Sequence, residues 1–135
     1  LQSVLHLYKN PRRLKLELPL FRWLSRDLSE INKMANRLLK PLQAYCREYD
    51  VAVAPCDTQV GSGALPVAVL RSAALKITFS HRRGSGKALS NLSRAFRELP
   101  TPVIGRISAD SLFFDLRCLE DEKSFIENLK DLKIP

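Results

Sequence analysis

The sequence predicts an α+β domain: one antiparallel or mixed sheet of about four strands, with helices packed on one face. Two patterns and their order carry that prediction. Ala73, Leu75, Ile77 and Phe79 alternate with Ala74, Lys76, Thr78 and Ser80, the period of a half-buried strand. Leu28, Ile31, Ala35, Leu38, Leu39, Leu42 and Tyr45 keep the three/four spacing of a long amphipathic helix. Along the chain the elements run helix, long helix, strand, strand, helix, strand, strand, helix, an order that suits one sheet covered on one side. No internal repeat or low-complexity tract divides the chain, so residues 1–135 are expected to form one domain.

The first element is helical by spacing, with Leu1, Val4, Leu5 and Tyr8 on one face. Neither a methionine nor an N-cap precedes it, so a piece of a longer protein is expected. Asn10-Pro11 ends it, and Leu14 to Trp23 make an apolar connector in which Pro19 argues against a central strand. The long helix is placed at about 26–48, capped by Ser25 or Asp27, with a kink expected at Pro41. A strand follows at Val51–Val60, where Pro55 marks a bulge or a sheet edge, and a second at Ser72–Ser80. Leu89, Leu92, Phe96 and Leu99 give a shorter helix. Val103–Ser108 and Ser111–Leu119 form a hairpin about Ala109-Asp110. One face of it carries Val103, Gly105, Ile107, Leu112, Phe114, Leu116 and Cys118. The other carries Ile104, Arg106, Phe113, Asp115 and Arg117, with Arg106 diagonal to Asp115 and within reach of an ion pair. A last helix starts near Asp121.

Composition restricts function. Twenty-two basic against 14 acidic residues give a net charge of +8, which favours an anionic partner, RNA before DNA. No apolar run approaches the roughly 20 residues of a membrane helix. Cys46, Cys56 and Cys118 form no Cys-x-x-Cys pair and are expected as reduced, packed thiols of a cytoplasmic protein. His6 and His81 have no ligand-spaced neighbours, so no metal site is expected.

Two loops are chemically suggestive. In Gln59-Val60-Gly61-Ser62-Gly63-Ala64-Leu65-Pro66, Gly61 and Gly63 can take positive φ and turn successive N–H groups towards one anion. A plain loop between strands explains the same residues. His81-Arg82-Arg83-Gly84-Ser85-Gly86-Lys87 resembles a phosphate loop but fails as one. His81 stands where the first glycine belongs, and Ala88 stands where a hydroxyl must reach magnesium. Arg82, Arg83 and Lys87, with Arg12 and Arg13, either touch nucleic-acid backbone or face water.

Three stretches in order make a family recognisable: residues 59–66 above, Pro102-Val103-Ile104-Gly105-Arg106-Ile107, and Phe114-Asp115-Leu116-Arg117-Cys118-Leu119-Glu120-Asp121. Together they resemble the C-terminal part of the bacterial selenocysteine synthases, the L-seryl-tRNA(Sec) selenium transferases, and the likeness runs through nearly the whole chain. The resemblance implies the small C-terminal domain of a fold-type-I enzyme dependent on pyridoxal phosphate, which supplies the electron sink. It implies a cytoplasmic transferase that replaces the seryl hydroxyl of seryl-tRNA(Sec) with selenium from selenophosphate, and a homo-oligomer built as a ring of dimers.

The family's cofactor lysine sits in a Gly-Gly-Asp-Lys stretch that has no counterpart here, and Lys87 stands in the wrong context. These 135 residues are therefore expected to hold no catalytic residue and to be inactive alone, with residues 1–24 linking to a large domain. The family's Leu-Pro-Ser is Leu70-Arg71-Ser72 here, which removes a rigid residue and adds a charge. The resemblance places Gly61, Ser62, Gly63 and Arg106 as candidate cleft-facing contacts to phosphate or substrate. Arg12, Arg13, Arg82, Arg83 and Lys87 are candidate tRNA backbone contacts. The alternative is a non-catalytic basic module that binds tRNA or another subunit.

Overall fold

A computed structural model of the chain describes residues 17–60, 68–79 and 85–134. Helix α1 spans Pro19–Leu24 and α2 Leu28–Tyr45; strands β1 (Tyr49–Val60) and β2 (Ala68–Phe79) follow. Helix α3 is Ser85–Arg97, strands β3 and β4 are Arg106–Ser108 and Ser111–Asp115, and α4 is Glu122–Asn128, extended by a 3₁₀ turn at Leu129–Asp131. The four strands form one antiparallel sheet in the order β1-β2-β4-β3. The α+β expectation holds, and the open choice between antiparallel and mixed resolves to antiparallel.

Proline explains the first helix. Pro19 occupies the first turn of α1, where its missing N–H has no intrahelical partner to lose and its φ already suits a helix. Within the described part of the expected connector, Pro19–Leu24 is therefore a helix. In α2, Asp27 is the cap, accepting the Ser29 N–H at 2.7 Å. Ile31, Met34, Ala35, Leu38 and Leu42 are its buried stripe, and the helix continues through Pro41.

The buried stripe meets the sheet face formed by Tyr49, Val51, Val53, Ala73, Leu75, Ile77, Leu112 and Phe114. Leu89, Leu92 and Phe96 of α3 and Phe125 of α4 complete the core, with the Phe96 and Phe114 rings 4.6 Å apart at 55°. Each fully buried Leu, Ile or Phe contributes about 1.5–3 kcal/mol. The opposite face carries Ala52, Ala54, Cys56, Ser72, Ala74, Lys76, Phe113, Asp115 and Arg106; Ser72 and Ala74 on it are buried, and its open part is the row Ala52, Lys76, Phe113 and Arg106.

Two details show how the edges are kept. Val51 N–H donates to Gln43 Oε1 at 3.0 Å and Gln43 Nε2 donates to the Tyr49 carbonyl at 2.8 Å, so odd-numbered β1 residues turn their backbone groups away from β2. Pro55 has the same parity, so its missing donor costs the ladder nothing. The pairing runs unbroken past it, which makes Pro55 an edge residue and not a bulge. At the other edge β3 is only three residues long, shorter than the expected Val103–Ser108, because Val103 N–H leaves the sheet to bond the Phe96 carbonyl. Gly105 is required there: a Cβ would lie 2.7 Å from Phe114 Cε1 and 2.9 Å from the Phe113 carbonyl oxygen.

The β3–β4 turn places Ala109 at φ 46° and Asp110 at φ 52°, the left-handed pair that a two-residue hairpin demands. Neither residue takes that region as readily as Asn or Gly. Replacing the pair (Ala109→Asn with Asp110→Gly) should stabilise the fold by about 1 kcal/mol, read as a raised urea midpoint at unchanged slope.

Candidate substrate-facing site

Strand parity puts Arg106 on the uncovered sheet face, opposite Phe113, and its side chain is exposed. It borders a cavity of about 260 Å³ with Cys56, Asp57, Thr58, Gln59, Phe113 and Asp115. A larger hollow of about 370 Å³ beside α4 pairs an apolar wall that includes Val103, Ile104, Leu116 and Phe125 with Thr101, Asp115, Asp121, Ser124 and Asn128, and no basic side chain among the described residues lines it. The smaller cavity is the one that offers an anion a cation.

The expected Arg106–Asp115 ion pair does not form among the described residues. Asp115 is engaged elsewhere. Its carboxylate accepts the Ser72 hydroxyl at 2.5 Å, the Thr58 hydroxyl, and the Arg117 N–H at 3.0 Å. These bonds tie β1, β2 and the end of β4 together across the uncovered face and leave the Arg106 guanidinium facing the cavity.

The hairpin's alternation stops at Asp115, which corrects the expected face for its last residues. Leu116 and Arg117 are both buried, and Cys118 is exposed. Arg117 retains 4% of its surface and gives its guanidinium to backbone carbonyls: Trp23 and Arg26, each at 3.1 Å, and Arg71. Arg26 replies by donating to the Arg117 carbonyl at 3.0 Å and to that of Leu119. Glu120 takes a forked pair from Arg22, at 2.6 and 3.1 Å, and the Trp23 indole N–H at 2.8 Å. Asp121 caps α4 through the Ser124 N–H at 2.9 Å. The stretch Phe114–Asp121 is thus a junction fastening α1 to the sheet. Sequence reasoning placed Arg117 beside Arg106 on the hairpin's second face; only the tertiary fold brings its carbonyl partners together.

Cys46 and Cys56 are packing thiols, whereas Cys118, expected to be packed, is exposed because the chain turns after β4. Burial pushes Cys46 up to about 12, and burial with the nearby Asp115 charge pushes Cys56 up to about 11, so both stay protonated at neutral pH. Lys87 is exposed near the start of α3. The Gly61-Ser62-Gly63 turn lies in the connection from β1 to β2, outside the described residues, as do Arg12, Arg13, Arg82 and Arg83.

Residues 1–120 match the family described as L-seryl-tRNA selenium transferase. The chain belongs to that family. It is 50% identical over 130 residues to the L-seryl-tRNA(Sec) selenium transferase of Escherichia fergusonii, covering 96% of this chain and 28% of that protein. The Klebsiella pneumoniae (strain 342) relative is 48% identical over 129 residues, with the same coverage of 96% and 28%. The Escherichia coli (strain SMS-3-5) relative is 49% identical over 130 residues, again 96% and 28%. The chain therefore spans just over a quarter of the length of these relatives.

The described residues do not by themselves suit pyridoxal phosphate. A lysine that binds it needs a sheltered pocket, and every described lysine is exposed except Lys76, which lies over the Phe113 ring. Among the described residues no helix is long and apolar enough to cross a membrane.

Two outcomes follow from the junction. Arg117→Lys should destabilise the fold by about 2–3 kcal/mol in urea unfolding, because an ammonium cannot fork to carbonyls in separate elements. The second concerns acid. Hydrogen bonds hold Asp27 (from Ser29), Glu120 (from Arg22), Asp121 (from Ser124) and Glu122 (from Arg37) below their ordinary values. A carboxyl depressed in the folded state stabilises it while ionised, and that contribution is lost as pH falls through the folded value. The urea midpoint should hold steady at neutral pH and fall below about pH 4.5, the ordinary value for Glu, with a shallower fall in Glu122→Gln.

Proposed function

We propose that this chain is the C-terminal small domain of a cytoplasmic selenium transferase, which converts seryl-tRNA(Sec) with selenophosphate. The complete enzyme uses pyridoxal phosphate on a lysine outside these 135 residues and works as a homo-oligomer, a ring of dimers. The single observation that carries a role for this part is the Arg106 guanidinium, exposed at a polar cavity where Asp115, one of its two acids, is held by other donors. A planar fork in that state suits a phosphate or selenophosphate oxygen pair. The Gly61-Ser62-Gly63 stretch follows β1, whose Cys56, Asp57, Thr58 and Gln59 line the cavity, and its N–H groups and the Ser62 hydroxyl are assigned to the same guest. Arg12, Arg13, Arg82, Arg83 and Lys87 are assigned to the tRNA backbone, in keeping with the +8 charge.

Mixing the 135-residue chain with pyridoxal phosphate should give no lysine-bound absorbance band. In the complete enzyme, Arg106→Ala should lower kcat/KM for selenium transfer roughly 10–100-fold, the worth of one charge-assisted hydrogen bond. A stable band in the isolated chain, or an unchanged rate in the variant, would overturn this reading. Salt-dependent tRNA binding by a complete protein that transfers no selenium would favour the non-catalytic module instead.

A further inference from the structure

The sheet register sets three side chains in a line across the uncovered face. Lys76 of β2 pairs with Phe113 of β4, and Phe113 pairs with Arg106 of β3. Neighbouring strands are about 4.8 Å apart, so two cations flank one aromatic ring at single-strand intervals. The ring is half-buried, and Lys76 Nζ lies over it, 6.0 Å from the centroid, so a base stacking on Phe113 displaces the ammonium from the ring towards its own phosphate. Among the neighbouring positions on the same face, Ala52 is exposed and Ala54 half-buried, both with short side chains, and Ala74 is buried.

We propose that the Lys76–Phe113–Arg106 row holds an unpaired nucleotide of a single-stranded RNA end, its base on Phe113 and its flanking phosphates on Lys76 and Arg106. The choice of RNA among polyanions rests on the function proposed above. The choice of a single strand comes from geometry: a flat platform with one aromatic ring can stack only a base that is not already paired and covered. Charge sets the direction. Asp50 lies on the row before and Asp115 on the row after, so the acids bracket the cationic row along the strands. A polyanion is thereby steered to run across the strands, from β2 to β3. Asp115 opposes it weakly, because two hydroxyls and an N–H share its charge.

The test uses a fluorescently labelled single-stranded hexaribonucleotide, the same sequence as a duplex, and inorganic phosphate. Anisotropy measures affinity, and amide chemical shifts in the 135-residue chain locate the contact. The single strand should bind at least tenfold more tightly than the duplex and shift Lys76, Phe113 and Arg106. Phe113→Leu, which keeps the bulk, should weaken binding roughly tenfold, and Phe113→Trp should retain it. Lys76→Ala with Arg106→Ala should flatten the salt slope by about 1.4. Equal binding of duplex and single strand would overturn the proposal. So would shifts produced fully by phosphate and indifferent to Phe113→Leu, or a dimer of the chain that buries Phe113. None of these outcomes touches the selenium-transfer readout, so the two readings fail separately.

Discussion

A buried guanidinium that spends itself on backbone carbonyls is the constraint from which the rest of this fold takes its geometry. Arg117 reaches three carbonyls in two separate parts of the chain, two flanking the end of α1 and one in β2. A cation shut away from water is costly unless every available donor finds an acceptor. Carbonyl dipoles serve here without a neutralising carboxylate, though the buried Nε finds no acceptor among the described residues, and Arg26 returns a bond to the Arg117 carbonyl. The exchange locks the chain's entry to the sheet in one orientation. A lysine, with one point of charge and no fork, has no equivalent arrangement.

The same economy of donors governs the sheet's borders. An edge strand of 12 residues such as β1 invites pairing with another chain, and Gln43 and Pro55 both blunt it. The Gln43 amide imitates the peptide of a further strand, donating to one residue and accepting from the next but one. Pro55 removes a donor on the outward side. In the loop before β3, Asn128 does likewise for Thr101, accepting its N–H at 3.0 Å and donating to its carbonyl at 2.7 Å.

Periodicity made the scaffold legible. The alternation over Ser72–Ser80 and the stripe from Ile31 to Leu42 depend only on local geometry, and both appear where spacing put them. Met34, three residues after Ile31 and four before Leu38, belongs to the same stripe and is buried with it. The hairpin's end was misread. Parity is a local rule that holds only while the strand lasts, and β4 ends at Asp115, so Arg117 turns inward and Cys118 outward. The missing Arg106–Asp115 pair is a further case. Diagonal spacing brought the acid within reach, but Thr58 and Ser72, 57 and 43 residues away in sequence, claim it first.

Arg106 and Arg117 sit on the same short hairpin and meet opposite fates, and the contrast says what each is for. Arg117 has its charge dispersed over fixed dipoles, so it has little left to give a ligand and much to lose if moved. Arg106 keeps its charge in water beside a carboxylate that is already satisfied, where no fold-level interaction depends on it. A guanidinium so placed is inexpensive to leave exposed and able to exchange its hydration for an incoming oxyanion. That difference is why the reading assigns substrate contact to Arg106 and architecture to Arg117, although both belong to stretches that mark the family.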